Sequence, residues 1–203
     1  MIHIVNYGMG NLGSIQNMLK KLGIPSKIAE APEEAMDASQ LILPGVGAFN
    51  EGMRILSESG WVSFLNRKVL EDKLPILGIC LGMQLMTSFS EEGNVAGLDW
   101  VRGQTVRFTG ANLRVPHMGW NIVLPRQDED LFRSEEEELR FYHVHSYYVR
   151  LENPEQEIAQ TVYGDPFTSA FRKDNIFGVQ FHPEKSHKFG MQMLKNFHTF
   201  AHA

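Results

Sequence analysis

The chain has 203 residues, 43% of them hydrophobic and 21% charged, with a formal net charge of -5 and a single cysteine. A charge this mild and dispersed excludes an electrostatic nucleic-acid or anionic-membrane binder, and no apolar run reaches the roughly 18 residues of a membrane span. One thiol excludes an internal disulfide; with no secretory-signal layout, this points to a cytoplasmic protein of one domain, residues 1–203.

Met1 to Val5 reads as a first strand, followed by a glycine-rich loop, Asn6-Tyr-Gly-Met-Gly-Asn-Leu-Gly13. Ser14 is the expected cap of a helix that places Ile15, Met18, Leu19 and Leu22 on one face and ends at Gly23. Gly8, Gly10 and Gly13 have the G-x-G-x-x-G spacing of a dinucleotide loop, and Glu30 stands where its acidic residue would be. The second strand, around Lys27 to Ala29, is weak, so a structural or interface loop is the preferred reading. A third strand, Gln40 to Leu43, runs into Pro44-Gly-Val-Gly-Ala-Phe49, where two glycines let backbone amides face a ligand. Amphipathic helices are expected over residues 50–57 and 61–71.

Ile76, Leu77 and Ile79 form a short apolar run like a strand buried on both faces, and Leu81, Leu85 and Met86 recur at helical spacing. Between them Gly78-Ile-Cys-Leu-Gly82 is the G-x-C-x-G form of a nucleophile elbow, a tight strand-to-helix turn that lifts its central side chain above a sheet. Cys80 is thus a candidate nucleophile at a helix N-terminus, with the Leu81 amide aimed at any oxyanion formed on attack. The alternation of strands and helices up to this point implies a mostly parallel sheet covered on both faces.

Beyond Phe89 the texture changes. Ser90 to Asn94 reads as a solvated loop and Glu135 to Glu138 as a solvated turn. Strand-like runs at 105–108, 120–124, 139–144, 147–151, 158–163, 167–172 and 176–180 suggest an antiparallel extension of the sheet, before a last helix over 189–200. The final run ends at His182-Pro-Glu184. Proline keeps the residue before it extended, and in extended chain residues two apart share a side. Glu184 can therefore orient His182, which supplies the base and the orienter of a triad on Cys80. His143 and His145 also alternate along a strand like metal ligands, but no third donor stands at usable spacing, so no metal site is expected.

Gly78-Ile-Cys-Leu-Gly-Met-Gln84 with Gln180-Phe-His-Pro-Glu184 resembles a class I, triad-type glutamine amidotransferase. Asn6-Tyr-Gly-Met-Gly-Asn11, Pro44-Gly-Val-Gly47, Pro116-His-Met-Gly-Trp-Asn121, Val144-His-Ser-Tyr147 and His182-Pro-Glu-Lys-Ser186 narrow the likeness, across nearly the whole chain, to glutaminase subunits of imidazole glycerol phosphate synthase. The resemblance implies a flavodoxin-like α/β fold, with a mostly parallel central sheet, flanking helices and an antiparallel extension. It implies hydrolysis of L-glutamine to glutamate and ammonia by Cys80, His182 and Glu184, without a cofactor. Its oxyanion hole would use the Leu81 amide and an amide from Val46 or Gly47, and Gln84, Ser146 and Tyr147 would hold the substrate. Ammonia would pass to a (β/α)8 synthase subunit, making imidazole glycerol phosphate and AICAR in histidine biosynthesis, with Asn6, Asn11, Trp120 and Lys185 facing that partner. Asn6 stands where such chains often carry Asp, and His143 where an apolar residue is usual. Both departures leave room for a related glutaminase that feeds amidation of a surface-polysaccharide sugar precursor. A cysteine peptidase on the same triad, or a binding subunit without chemistry, are the readings from other classes.

Overall fold

The computed structural model describes residues 1–110 and 113–200. Strands and helices alternate first: β1 (Ile2–Val5), α1 (Leu12–Lys21), β2 (Ser26–Ala29), β3 (Gln40–Leu43), α2 (Phe49–Glu58), α3 (Trp61–Asn66), β4 (Ile76–Ile79) and the short α4 (Leu81–Leu85). Strands then dominate: β5 (Thr87–Ser90), β6 (Val95–Ala96), β7 (Val101–Arg107), β8 (His117–Pro125), β9 (Leu139–His145), β10 (Tyr147–Leu151), β11 (Glu157–Tyr163), β12 (Asp165–Lys173) and β13 (Ile176–Val179), closed by α5 (His187–Phe200).

The centre is five parallel strands in the order β2-β1-β3-β4-β13. Strands β1, β3, β4 and β13 are buried along their whole length, which is why apolar residues dominate them; the polar members His3 and Gln40 are buried as well. Their residues still divide by period two. Ile2, Ile4, Ile42, Leu77, Ile79, Phe177 and Val179 pack under α1 and α5 with Ile15, Leu19, Met193 and Phe197. Val5, Leu41, Leu43, Ile76 and Ile176 pack on the other face with Phe49, Leu56, Trp61 and Leu65 of α2 and α3. From β13 the sheet continues antiparallel through β12, β10 and β7, and β5 joins β7 in parallel with β6 at the edge. The β8–β9 hairpin is tied on through β11. Because the central strands are parallel, the segments after β1, β3, β4 and β13 all emerge on one edge, at residues 6–11, 44–47, 80 and 182.

Several elements differ from expectation. Helix α1 begins at Leu12, so Ser14 lies inside it; no side chain caps its start at Asn11. The second helix of the pair is regular only to Asn66 and loosens into a π turn over Arg67–Glu71. Ser90 to Asn94 is the tip of a β5–β6 hairpin rather than an open loop, with Glu91 accepting from the Arg107 amide at 2.8 Å. Thr87, Ser88 and Ser90 hid that strand, since polar side chains give it no apolar alternation. Among the described residues no helix is long and apolar enough to cross a membrane.

Phe177 on β13 is 1% exposed and meets α5 through edge-on contacts to Phe197 at 5.7 Å and Phe200 at 4.9 Å. Phe177→Ala should lower unfolding free energy by about 3–5 kcal/mol, measured by urea denaturation.

Candidate active site

The turn from β4 into α4 holds Cys80 at φ 54° and ψ -108°, a left-handed conformation costly for any residue with a Cβ. Close packing on both sides fixes it. A Cβ on Gly78 would stand 2.7 Å from the Met83 nitrogen and 2.8 Å from the Gly82 carbonyl oxygen. One on Gly82 would stand 1.8 Å from the Leu43 carbonyl oxygen. The Cys80 amide donates to the Val179 carbonyl at 2.8 Å, tying the elbow to β13. Helix α4 spans only Leu81–Leu85, too short for much of a macrodipole, so the charge that matters at the sulfur comes from a neighbouring side chain.

That side chain is His182. Its backbone amide donates to the Tyr142 carbonyl at 2.9 Å, and its own carbonyl accepts from Ser186 Oγ at 2.6 Å. Its Nδ1–H donates to Glu184 Oε1 at 2.8 Å, with both side chains 1% exposed, which fixes the tautomer and turns Nε2 toward Cys80. Burial alone would lower the His182 pKa, but the nearby Cys80 sulfur and the hydrogen-bonded Glu184 carboxylate push it up to about 10. His182 therefore keeps its second proton across neutral pH.

Cys80 and His182 open onto a pocket of about 670 Å³. Val46, Gly47, Leu81, Gln84, Ser146 and Tyr147 line it, and so do Asn11 and Lys185 at the ends of their loops. The Leu81 amide is occupied, donating to the Gly45 carbonyl at 3.3 Å. Gln84 Nε2 is likewise committed, to the Tyr147 carbonyl at 3.1 Å and Gln180 Oε1 at 3.0 Å. Gln180 in turn places its own Nε2 3.7 Å from the Cys80 sulfur.

Cys80, His182 and Glu184 are thus brought together at one strand edge. The family model for glutamine amidotransferase class-I matches residues 3–200. The chain belongs to the class-I glutamine amidotransferase family. It is 52% identical over 198 residues to a Methanococcus maripaludis protein named imidazole glycerol phosphate synthase subunit HisH 2, covering 97% of this chain and 98% of that one. A Pseudomonas aeruginosa protein of the same name is 47% identical over 198 residues, at the same two coverages. Among solved structures, one described as a glutamine amidotransferase superposes with a TM-score of 0.79 at 18% identity, covering 100% of both chains, a likeness of fold alone.

Against this amidotransferase frame the remaining expected positions separate. Trp120 is 46% exposed and stacks on His187 at 5.6 Å. Asn6 is used within the chain, donating to Glu30 Oε2 at 2.5 Å and accepting from the Gly8 amide at 2.9 Å. That bond explains Glu30 without a nucleotide; a Cβ on Gly10 would stand 3.0 Å from Pro44 Cβ, so this glycine lets the first loop lie against the Pro44–Gly47 loop. Glu92, which the sequence offered only as part of a polar loop, lines the pocket and accepts from the Phe49 amide at 2.9 Å. The third imidazole that His143 and His145 lacked is also present: β8 brings His117 beside them, and donor atoms of all three lie within 4.8 Å of one another.

Gly82→Ala should destabilise by more than the roughly 1–3 kcal/mol of ordinary overpacking, because the obstructing atom is backbone. Gly13, inside α1 with no atom within 4 Å of its ideal Cβ, is the control: Gly13→Ala should stabilise by about 0.5–1 kcal/mol in the same denaturation assay.

Proposed function

We propose that this chain is a glutaminase subunit, hydrolysing L-glutamine to glutamate and ammonia and passing the ammonia to a (β/α)8 synthase partner in histidine biosynthesis. The observation that carries the reading is the buried His182–Glu184 pair at 2.8 Å behind a nucleophile-elbow cysteine. The names of its relatives at 52% and 47% identity support the pathway.

In this reading the Cys80 thiolate attacks the side-chain amide carbon of glutamine, and the His182 imidazolium protonates the departing nitrogen as ammonia leaves. The resulting thioester is opened by water, whose proton His182 takes from the attacking oxygen and returns to the sulfur side as glutamate departs. Glu184 holds the imidazole through both half-reactions. The oxyanion would be received by the Leu81 amide and an amide of Val46 or Gly47, and the first of these is engaged by Gly45 in the free chain. Productive attack therefore requires the Gly45–Val46 peptide to turn its carbonyl away. Gln84, with Nε2 committed, would offer substrate its carbonyl oxygen, and Glu92 would face the α-ammonium; Ser146 and Tyr147 complete the wall. The exposed row Met118, Trp120, Ile122 and Leu124 along β8, together with Val46, would give the synthase an apolar seat, with Asn11 and Lys185 nearby at the pocket. Asn6 would contribute to that contact by shaping its loop.

The test is glutamate release from glutamine, with and without the (β/α)8 subunit and its imidazole-pathway ribonucleotide intermediate. Stimulation by both together is expected; stimulation by the partner alone would point to another acceptor. Cys80→Ala should abolish release while still binding the partner, and retained turnover would overturn the triad. Glu184→Gln should reduce kcat by roughly 10²–10⁴-fold. Removing that carboxylate also removes a group that raises the His182 pKa, so the imidazole should titrate below about 10, as followed by NMR of the ring.

A further inference from the structure

We propose that His117, His143 and His145 form a binding site for one divalent transition-metal ion of the zinc class, beside the catalytic pocket but using none of the triad. The β8–β9 hairpin assembles it by register: His117 pairs with His145, and Gly119, without a side chain, pairs with His143. His143 and His145 share a side of β9, two residues apart. All three rings are buried, at 3%, 0% and 6% exposure. His117 Nδ1 and His143 Nδ1 each lie 3.2 Å from His145 Nε2. Tetrahedral zinc with nitrogen ligands at 2.0–2.1 Å sets its donor atoms about 3.3–3.4 Å apart, so two edges of such a tetrahedron already stand close to size.

Hydrogen bonding alone does not account for three imidazoles here. His145 Nδ1 lies 2.7 Å from the Tyr147 carbonyl and must carry its proton, leaving a single lone pair at Nε2. Two Nδ1 atoms converge on that lone pair. Asn121 Oδ1 accepts from the Ile122 amide and its Nδ2 donates to the Val162 carbonyl, so Nδ2 also faces His117 Nε2, at 3.2 Å, as a donor. His117 is then the ring whose Nδ1–H uses the His145 lone pair. His143 Nδ1 is left to compete for it, and His143 Nε2 has no hydrogen-bond partner among the described residues. A cation that takes one lone pair from each ring does explain the convergence. It requires the His117 proton to sit on Nε2 and the Asn121 amide to swing aside.

Burial disfavours the charged form of all three rings. The Tyr147 carbonyl on His145 Nδ1 is the outer-shell acceptor that orients a metal-bound imidazole. His145 also lines the catalytic pocket, which sets the cluster directly behind its wall. A divalent charge there would stand against the imidazolium form of His182.

The experiment titrates the full chain with Co²⁺ alone near neutral pH, reading the visible bands of tetrahedral cobalt and their displacement by Zn²⁺. One equivalent is expected to bind, in the parent chain and in Cys80→Ala alike. His143→Phe and the near-isosteric His143→Gln, each checked for folding by circular dichroism, should weaken binding by more than the roughly 10–100-fold of an outer-shell loss. Absence of saturable binding in the parent chain overturns the site. So does binding that survives both His143 variants, or that disappears with Cys80→Ala, which would place the ion on the catalytic thiolate.

Discussion

The backbone of α4 runs so close to the end of β3 that position 82 has no room for any side-chain carbon: the Leu43 carbonyl oxygen would be 1.8 Å away. Much of the site depends on that approach. It presses the first turn of α4 onto the Pro44–Gly47 loop, and a Cβ on Gly45 would in turn meet Leu81 Cβ at 2.8 Å and the Gly82 nitrogen at 2.9 Å. The turn that carries Cys80 and the Pro44–Gly47 loop are therefore one packed body. The strained backbone of Cys80 persists because β4, β13 and this loop over-determine it from three sides. The same tightness lets the Gly45 carbonyl reach the Leu81 amide, so the geometry that builds the elbow also occupies one of the donors the chemistry calls for.

Electrostatics take over where packing stops. His182 and Glu184 are buried together, and a buried ion is tolerated only with its partner. The imidazole has the Glu184 carboxyl hydrogen-bonded to Nδ1 and the Cys80 sulfur near its other side. This explains how His182 is held at about 10 in surroundings that by burial alone would deprotonate it. Of the three histidines of β8 and β9, His143 and His145 lie close enough to feel His182, and all three resolve the same conflict in the opposite way: no carboxylate reaches them among the described hydrogen bonds, and burial favours their neutral form. One edge of the sheet thus holds two imidazole environments of opposite character.

What the sequence disclosed follows from how local each device is. The elbow needs five consecutive residues, and the His182–Glu184 pair needs three, so both can be read without knowing the fold. The central strands were legible because burial on two faces makes them mostly apolar, with His3 and Gln40 the buried polar exceptions in β1 and β3. Thr87–Ser90 was not, since its stability comes from pairing with β7 and not from an apolar face of its own. Glu92 was equally hidden: in a run of Glu91, Glu92 and Gly93 nothing marks which carboxylate turns inward to the Phe49 amide. Ser14 misled because a serine before an apolar stripe satisfies the capping rule, whereas the chain turns helical two residues earlier.

His117 shows the limit most sharply. It stands 26 residues before His143, and no spacing rule relates the two. Their meeting depends on an antiparallel register in which His117 opposes His145, and that register is set by the whole β8–β9 hairpin. A shift of one residue would turn every side chain of β8 to the opposite face, sending His117 out to solvent and Met118, Trp120 and Ile122 inward. The apolar face that β8 leaves exposed and the imidazoles it buries are consequently two results of one constraint. The exposed apolar row and the polar cluster beside the pocket are fixed by the same pairing, so a contact that reshaped the first would have a direct mechanical route to the second.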